Sequence, residues 1–205
     1  MSNQPLTYNQ TTRAIADFIE VAIHTILYVR QIYPAQLFVR RKKYNTPVFQ
    51  SRHPALNEYI TGAVKAIEVE ISSGAVDKVV IVIKDKEHIA LERFIFSIET
   101  MIEVEGYNKD TSVENAVSGV ALSQYFRAFL VKLNMIESQL GPLDLLDDGS
   151  FAIVLELKDN KAPSRVTDKE APLWIPADGQ HTTAGMSDKA ELHMIRAVNT
   201  GIINM

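Results

Sequence analysis

The chain has 205 residues, 46% of them hydrophobic and 22% charged, with a net charge of -4 and no cysteine. This is ordinary globular composition, long enough for one domain with a substantial core. The missing cysteines exclude disulfides, thiolate metal sites and a Cys nucleophile, and allow a reducing compartment. The acidic balance disfavours tight direct DNA binding, because proteins that hold the phosphate backbone over a wide footprint are usually basic.

The first ten residues, MSNQPLTYNQ, lack the cationic-then-apolar order of a signal peptide. From Ala14 to Ile32 most residues are apolar, and they cover nearly the whole circumference of a helix. This predicts a buried central helix. Asp17, Glu20, His24 and Arg30 within it argue against a membrane span. Pro34 cannot continue the helix and biases Tyr33 towards extended backbone. Leu37 to Val39 then reads as a short strand. Arg40 to Lys43 supply four consecutive cations, which fit a solvated strand end that discourages edge pairing better than a nucleic-acid patch.

His53-Pro54 opens a second helix, with Leu56, Ile60, Val64 and Ile67 on one stripe. Tyr59 lies one position off that stripe and reads as a core-edge residue unless a groove lies there. Asp77 to Asp85 holds five consecutive β-branched residues, the pattern of a strand buried on both faces and central in a sheet. Lys86 to His88 forms a turn. The alternation from Leu91, with Phe94, Phe96 and Ile98 on one face, predicts the returning strand of an antiparallel hairpin.

Glu103 to Asp110 is a polar connection, and Thr111 to Glu114 has capping-box spacing. Leu122, Phe126, Phe129, Leu133, Ile136 and Leu140 mark an amphipathic helix that Gly141-Pro142 stops. Ser150 to Lys158 is another strand. Asp159 to Lys189 is long for a loop and rich in Pro and Gly, yet it carries Leu173, Trp174 and Ile175, so it is expected to pack on something. Trp174 fits a core residue and the cover of a bound peptide equally well. From Leu192 alternating residues suggest a further strand.

The five histidines are scattered, with no carboxylate at matching spacing, so they do not suggest a metal site. No phosphate-cradling glycine motif and no G-x-S-x-G occurs. The residues therefore point away from enzyme or cofactor chemistry.

The order ILYVRQIYP (26–34), Phe38 and RRKKYN-x-PV (40–48) resembles the first helix and following strand of HORMA domains. HPALNEYI (53–60), DKVVIVIKDKEHIALERFIF (77–96), FRAFLVKL (126–133) and PLWIPAD (172–178) continue the resemblance in order, most closely to the accessory subunits of translesion DNA polymerase zeta. The resemblance implies an α+β fold, a mainly antiparallel sheet packed on three helices. It implies one domain over 1–205, with a core at 1–158 and a "safety belt" at 159–205 that wraps a partner peptide. It implies a non-catalytic nuclear adaptor, also compatible with the cytoplasm, without cofactor and with no membrane partner. The implied partners are a proline-containing peptide of the polymerase zeta catalytic subunit, the C-terminal domain of a scaffold translesion polymerase, a second HORMA chain as homodimer or heterodimer, and a AAA+ remodelling ATPase. Carried over residue by residue, Tyr59, Trp174 and Pro176 match peptide-contacting positions, the last being a Leu in the family. Arg127 matches a dimerisation position, and Leu192 a scaffold-polymerase contact.

Overall fold

The computed structural model describes residues 4–102, 108–112, 116–143, 149–159, 161–164 and 174–205. Helix α1, Tyr8–Val29, begins six residues before Ala14, because Thr7 and Gln10 form a capping box. The Thr7 hydroxyl accepts from the Gln10 amide at 3.2 Å, and the Gln10 side chain accepts from the Thr7 amide at 3.0 Å. Polar residues are buried along this helix without loss of hydrogen bonding, since Thr11, Thr12 and Thr25 each donate back to a helix carbonyl. The helix stops at Val29, earlier than the apolar run, where Gln31 turns the chain with φ 53° before Pro34. Its apolar circumference is buried as expected. Phe18 stacks on Phe126 with centroids 4.4 Å apart and planes 7° from parallel.

The four cations are the solvated end of a strand that is longer than Leu37 to Val39. Leu37 belongs to a short 3-10 turn, and β1, Phe38–Lys43, runs straight through Arg40 to Lys43 to pair with β2, Thr46–Ser51. Tyr44 and Asn45 form the two-residue hairpin loop, both with positive φ, 48° and 54°. Tyr44 holds this unusual backbone while its ring packs against both Phe18 and Phe126. Phe38 at the start of β1 is buried while its four cations are exposed, and Val48 and Ser51 of β2 are buried.

Helix α2, Pro54–Ser72, has Pro at its first turn, and the His53 ring accepts from the Leu56 amide. Strand β3, Val76–Lys84, is central, flanked by β4, Ala90–Ser97, and β6, Ser150–Leu157; both pairings are antiparallel. Val79, Ile81 and Ile83 join the main core, whereas Val80 and Val82 form a separate small cluster with Val154 on the opposite face. Between β4 and β6 lie β5, Glu99–Thr100, and two helices, α3, Gly119–Asn134, and α4, Glu137–Leu140. The apolar stripe is thus divided at Met135-Ile136 rather than continuous. The cap of α3 is Ser118, whose side chain accepts from the Ala121 amide at 3.2 Å. Residues 113 and 114 of the Thr111–Glu114 box lie outside the described residues.

No strand starts at Leu192. Among the described residues, 191–197 pair with no strand, and regular pairing returns at β7, Ile203–Asn204, which joins β5. There Val198 and Met205 exchange backbone hydrogen bonds across a tight turn, with Ile202 and Ile203 fully buried.

Candidate functional site

Strand β6 pairs with β3 along one edge, and among the described residues its other edge pairs with no strand. A strand edge of this kind can accept an extended peptide through backbone hydrogen bonds. Three aromatic rings stand beside it. Tyr59 on α2 meets Phe151 of β6 edge-to-face at 5.7 Å, and Tyr33 meets the same ring at 6.3 Å and 90°. Tyr59 remains 50% exposed, so an apolar face lies open next to the unpaired edge. Burial pushes the Tyr59 phenol up, against a smaller downward pull from the Ile153 backbone amide. Burial also raises Tyr33, with a further push from Tyr59. Both phenols are therefore neutral hydrogen-bonding groups rather than bases.

The C-terminal segment is held at several points. Near its start, buried Glu70 of α2 accepts from Ser164 twice, from the amide at 2.7 Å and the hydroxyl at 3.1 Å. Farther on, residues 178–186 contact groups on the outer face of the β4-β3-β6 sheet. Arg93 of β4 donates to the Gln180 carbonyl and, at 3.4 Å, to that of Gly185. Glu156 of β6 accepts from both the amide and the hydroxyl of Thr183, and its carboxylate is also 3.3 Å from Lys78. The His181 ring meets the His88 carbonyl at 2.8 Å. The segment then passes α3, where Lys132 donates to the Ile195 carbonyl at 2.7 Å and Arg196 lies over the Tyr125 ring.

The family described as HORMA domain matches residues 12–141. The chain belongs to the HORMA-domain family. It is 38% identical over 186 residues to the rat protein named mitotic spindle assembly checkpoint protein MAD2B, an alignment covering 88% of this chain and 82% of that one. It is 33% identical to the Arabidopsis thaliana protein named DNA polymerase zeta processivity subunit, covering 81% and 71%. The Schizosaccharomyces pombe protein of the same name is 31% identical, covering 90% and 85%. Among solved structures, a chain of a mitotic checkpoint complex superposes with a TM-score of 0.72 at 20% identity, over 95% of this chain and 94% of that one. A structure of HTP-2 bound to HTP-3 motif-6 superposes equally well, at 0.72 and 10% identity, over 100% and 91%. The α+β HORMA architecture is thus established, and with it membership of a family of non-catalytic adaptors.

Within this HORMA chain the sequence-derived residues are not all together. Tyr59 stands beside the β6 edge. Trp174 is half-buried and packs on the main core, with its indole N–H enclosed and without a hydrogen-bond partner among the described residues. Ile175 is 82% exposed and Pro176 is also exposed, while Leu173 lies outside the described residues, so of the expected apolar trio only Trp174 is seen to pack. Arg127 is exposed on α3 and forms no ion pair among the described residues. Leu192 is 77% exposed beside Met194, on irregular backbone. Sequence reasoning missed Tyr33 and Phe151 as neighbours of Tyr59, and missed Glu70, Arg93 and Glu156 as anchors of the C-terminal segment. Arg93 and Glu156 left a faint trace as charged residues inside otherwise apolar strands. Glu70 left none.

Proposed function

We propose that this HORMA protein is an adaptor that traps a proline-containing peptide of the DNA polymerase zeta catalytic subunit. It bridges that subunit to a scaffold translesion polymerase in the nucleus, in DNA damage tolerance and repair. The observation that carries this reading is the unpaired edge of β6 next to Tyr33, Tyr59 and Phe151, in a chain whose C-terminal segment is pinned to the sheet and to α2. Strand addition supplies register through backbone hydrogen bonds, and the aromatic face selects an apolar or proline side chain. Two relatives carry the name polymerase zeta processivity subunit, and the HTP-2 neighbour is a peptide-motif complex. In this reading Tyr59, Trp174 and Pro176 contact the peptide, Leu192 meets the scaffold polymerase, and Arg127 lies at a HORMA–HORMA contact.

Vertebrate relatives carry a spindle-checkpoint name, which favours a checkpoint-type HORMA adaptor as the second reading. Immobilised peptides separate the two. Retention by the proline-containing catalytic-subunit peptide, and not by a checkpoint peptide, is the expected result. Retention by the checkpoint peptide alone overturns the polymerase reading.

A further inference from the structure

Arg93 is unlike the other charged residues of the sheet. It projects from β4, where it pairs across the ladder with Val82, and among the described residues it has no carboxylate partner. Its Nε is buried and, among the described residues, unpaired, and its Nη2 donates to two backbone carbonyls of the C-terminal segment, those of Gln180 and Gly185. A half-buried guanidinium satisfied only by carbonyls is more weakly hydrated than an ammonium and presents several donors on one rigid plane. The carbonyls are brought to it by a compact fold of the segment. Two short 3-10 turns, Gly179–His181 and Thr183–Gly185, double back so closely that a Cβ on Gly185 would lie 2.3 Å from the Gly179 carbonyl oxygen and 2.7 Å from the Gln180 Cα. Backbone cannot yield to such an overlap, so this loop requires glycine there. At the start of the second turn, the Thr183 amide and hydroxyl both reach the Glu156 carboxylate.

Val80, Val82 and Val154, which share the outer face of the sheet with these anchors, are nearly fully buried. The crossing loop is therefore held by a cation on β4 and an anion on β6, on either side of the central strand. We infer that Arg93 and Glu156 form a clasp that fixes residues 178–186 on the outer face of the sheet and sets how long a trapped peptide remains bound. They are positioning residues: they touch the segment that closes over the peptide, not the peptide-binding edge with its aromatic face. The inference rests on the peptide-trapping function proposed above.

The test uses the full chain, with Arg93→Ala, Glu156→Gln and Gly185→Ala compared with wild type, after circular dichroism shows each to be folded. Amide hydrogen exchange without peptide reads the clasp directly. Release of a fluorescent proline-containing peptide, chased with unlabelled peptide, reads its consequence. Charge-assisted hydrogen bonds of this kind correspond to release about tenfold faster or more in Arg93→Ala. Faster exchange confined to 178–186 is expected with it, and peptide association should change much less. Glu156→Gln keeps the volume and should lie between Arg93→Ala and wild type. Unchanged exchange in 178–186 overturns the clasp, and so does unchanged release from a loosened segment. Should wild type bind no peptide while exchange at 178–186 still rises in the variants, the peptide-trapping reading fails, and with it the claim about residence time, while the anchoring of the loop stands.

Discussion

Arg30 and Glu92 join the end of α1 to β4 through a bidentate ion pair. Arg30 Nη2 lies 2.6 Å from Glu92 Oε1 and Nε 2.8 Å from Oε2, while Nη1 donates to the Gly141 carbonyl at 2.9 Å. The Arg30 side chain is almost fully buried and that of Glu92 is 17% exposed. One guanidinium thus ties the first helix, the sheet and the end of α4 together.

Removing the acid leaves a buried cation without its counterion, which costs far more than the pair contributes net. Glu92→Ala should lower stability by about 3 kcal/mol, read as a shift in the urea midpoint at constant slope. Replacing both partners by apolar residues, Arg30→Met with Glu92→Leu, should recover most of that loss. A double variant as unstable as Glu92→Ala would show that packing, not the stranded charge, dominates.

His24 makes stability depend on pH. Burial lowers its pKa below the ordinary 6.5, with Glu20 pulling weakly the other way, and its Nδ1 accepts from the Ser51 amide at 3.4 Å. The unfolded chain protonates near 6.5 while the folded chain resists. The contribution of His24 is therefore complete above that value and declines as pH falls below it. Denaturant melts at pH 7.5 and 5.5 should show a steeper loss in wild type than in His24→Gln. Parallel losses would remove His24 as a source of the pH dependence.

Trp174 tests the proposed peptide contact. Truncating a central aromatic anchor costs about 2–4 kcal/mol of binding. Calorimetry with the catalytic-subunit peptide should show Trp174→Ala weakened to that degree and Tyr59→Ala weakened as well. An affinity equal to wild type would take Trp174 out of the site and leave it as a core residue.

Arg127 tests self-association. It is exposed on α3 away from the β6 edge, so Arg127→Ala should yield more monomer in light scattering while peptide affinity stays the same. A variant that remains as associated as wild type places the contact elsewhere.

Local chemistry made much of the fold legible. The β-branched run Val79 to Ile83 announced a central strand, and β3 is central. His53-Pro54 announced the start of α2, and the apolar circumference of α1 announced its burial. Where reading failed, distant packing decided. The first strand reads as only Leu37 to Val39, yet pairing with β2 extends it through Arg40 to Lys43, which form its solvated end. Tyr44 takes left-handed backbone because its ring is held in the core by Phe18 and Phe126. The alternation after Leu192 has the period of a strand, but among the described residues no strand pairs with it.

The sequence by itself determined the family and the order of most elements, because caps, proline stops and apolar periods act over a few residues. Only the tertiary structure decided which side chains meet. Glu70 finds Ser164 across 94 positions, Arg93 finds Gln180 across 87, and Tyr59 finds Phe151 on a different element. No local pattern encodes such pairings. They exist because α2, the sheet and the C-terminal segment are packed around one core that buries α1.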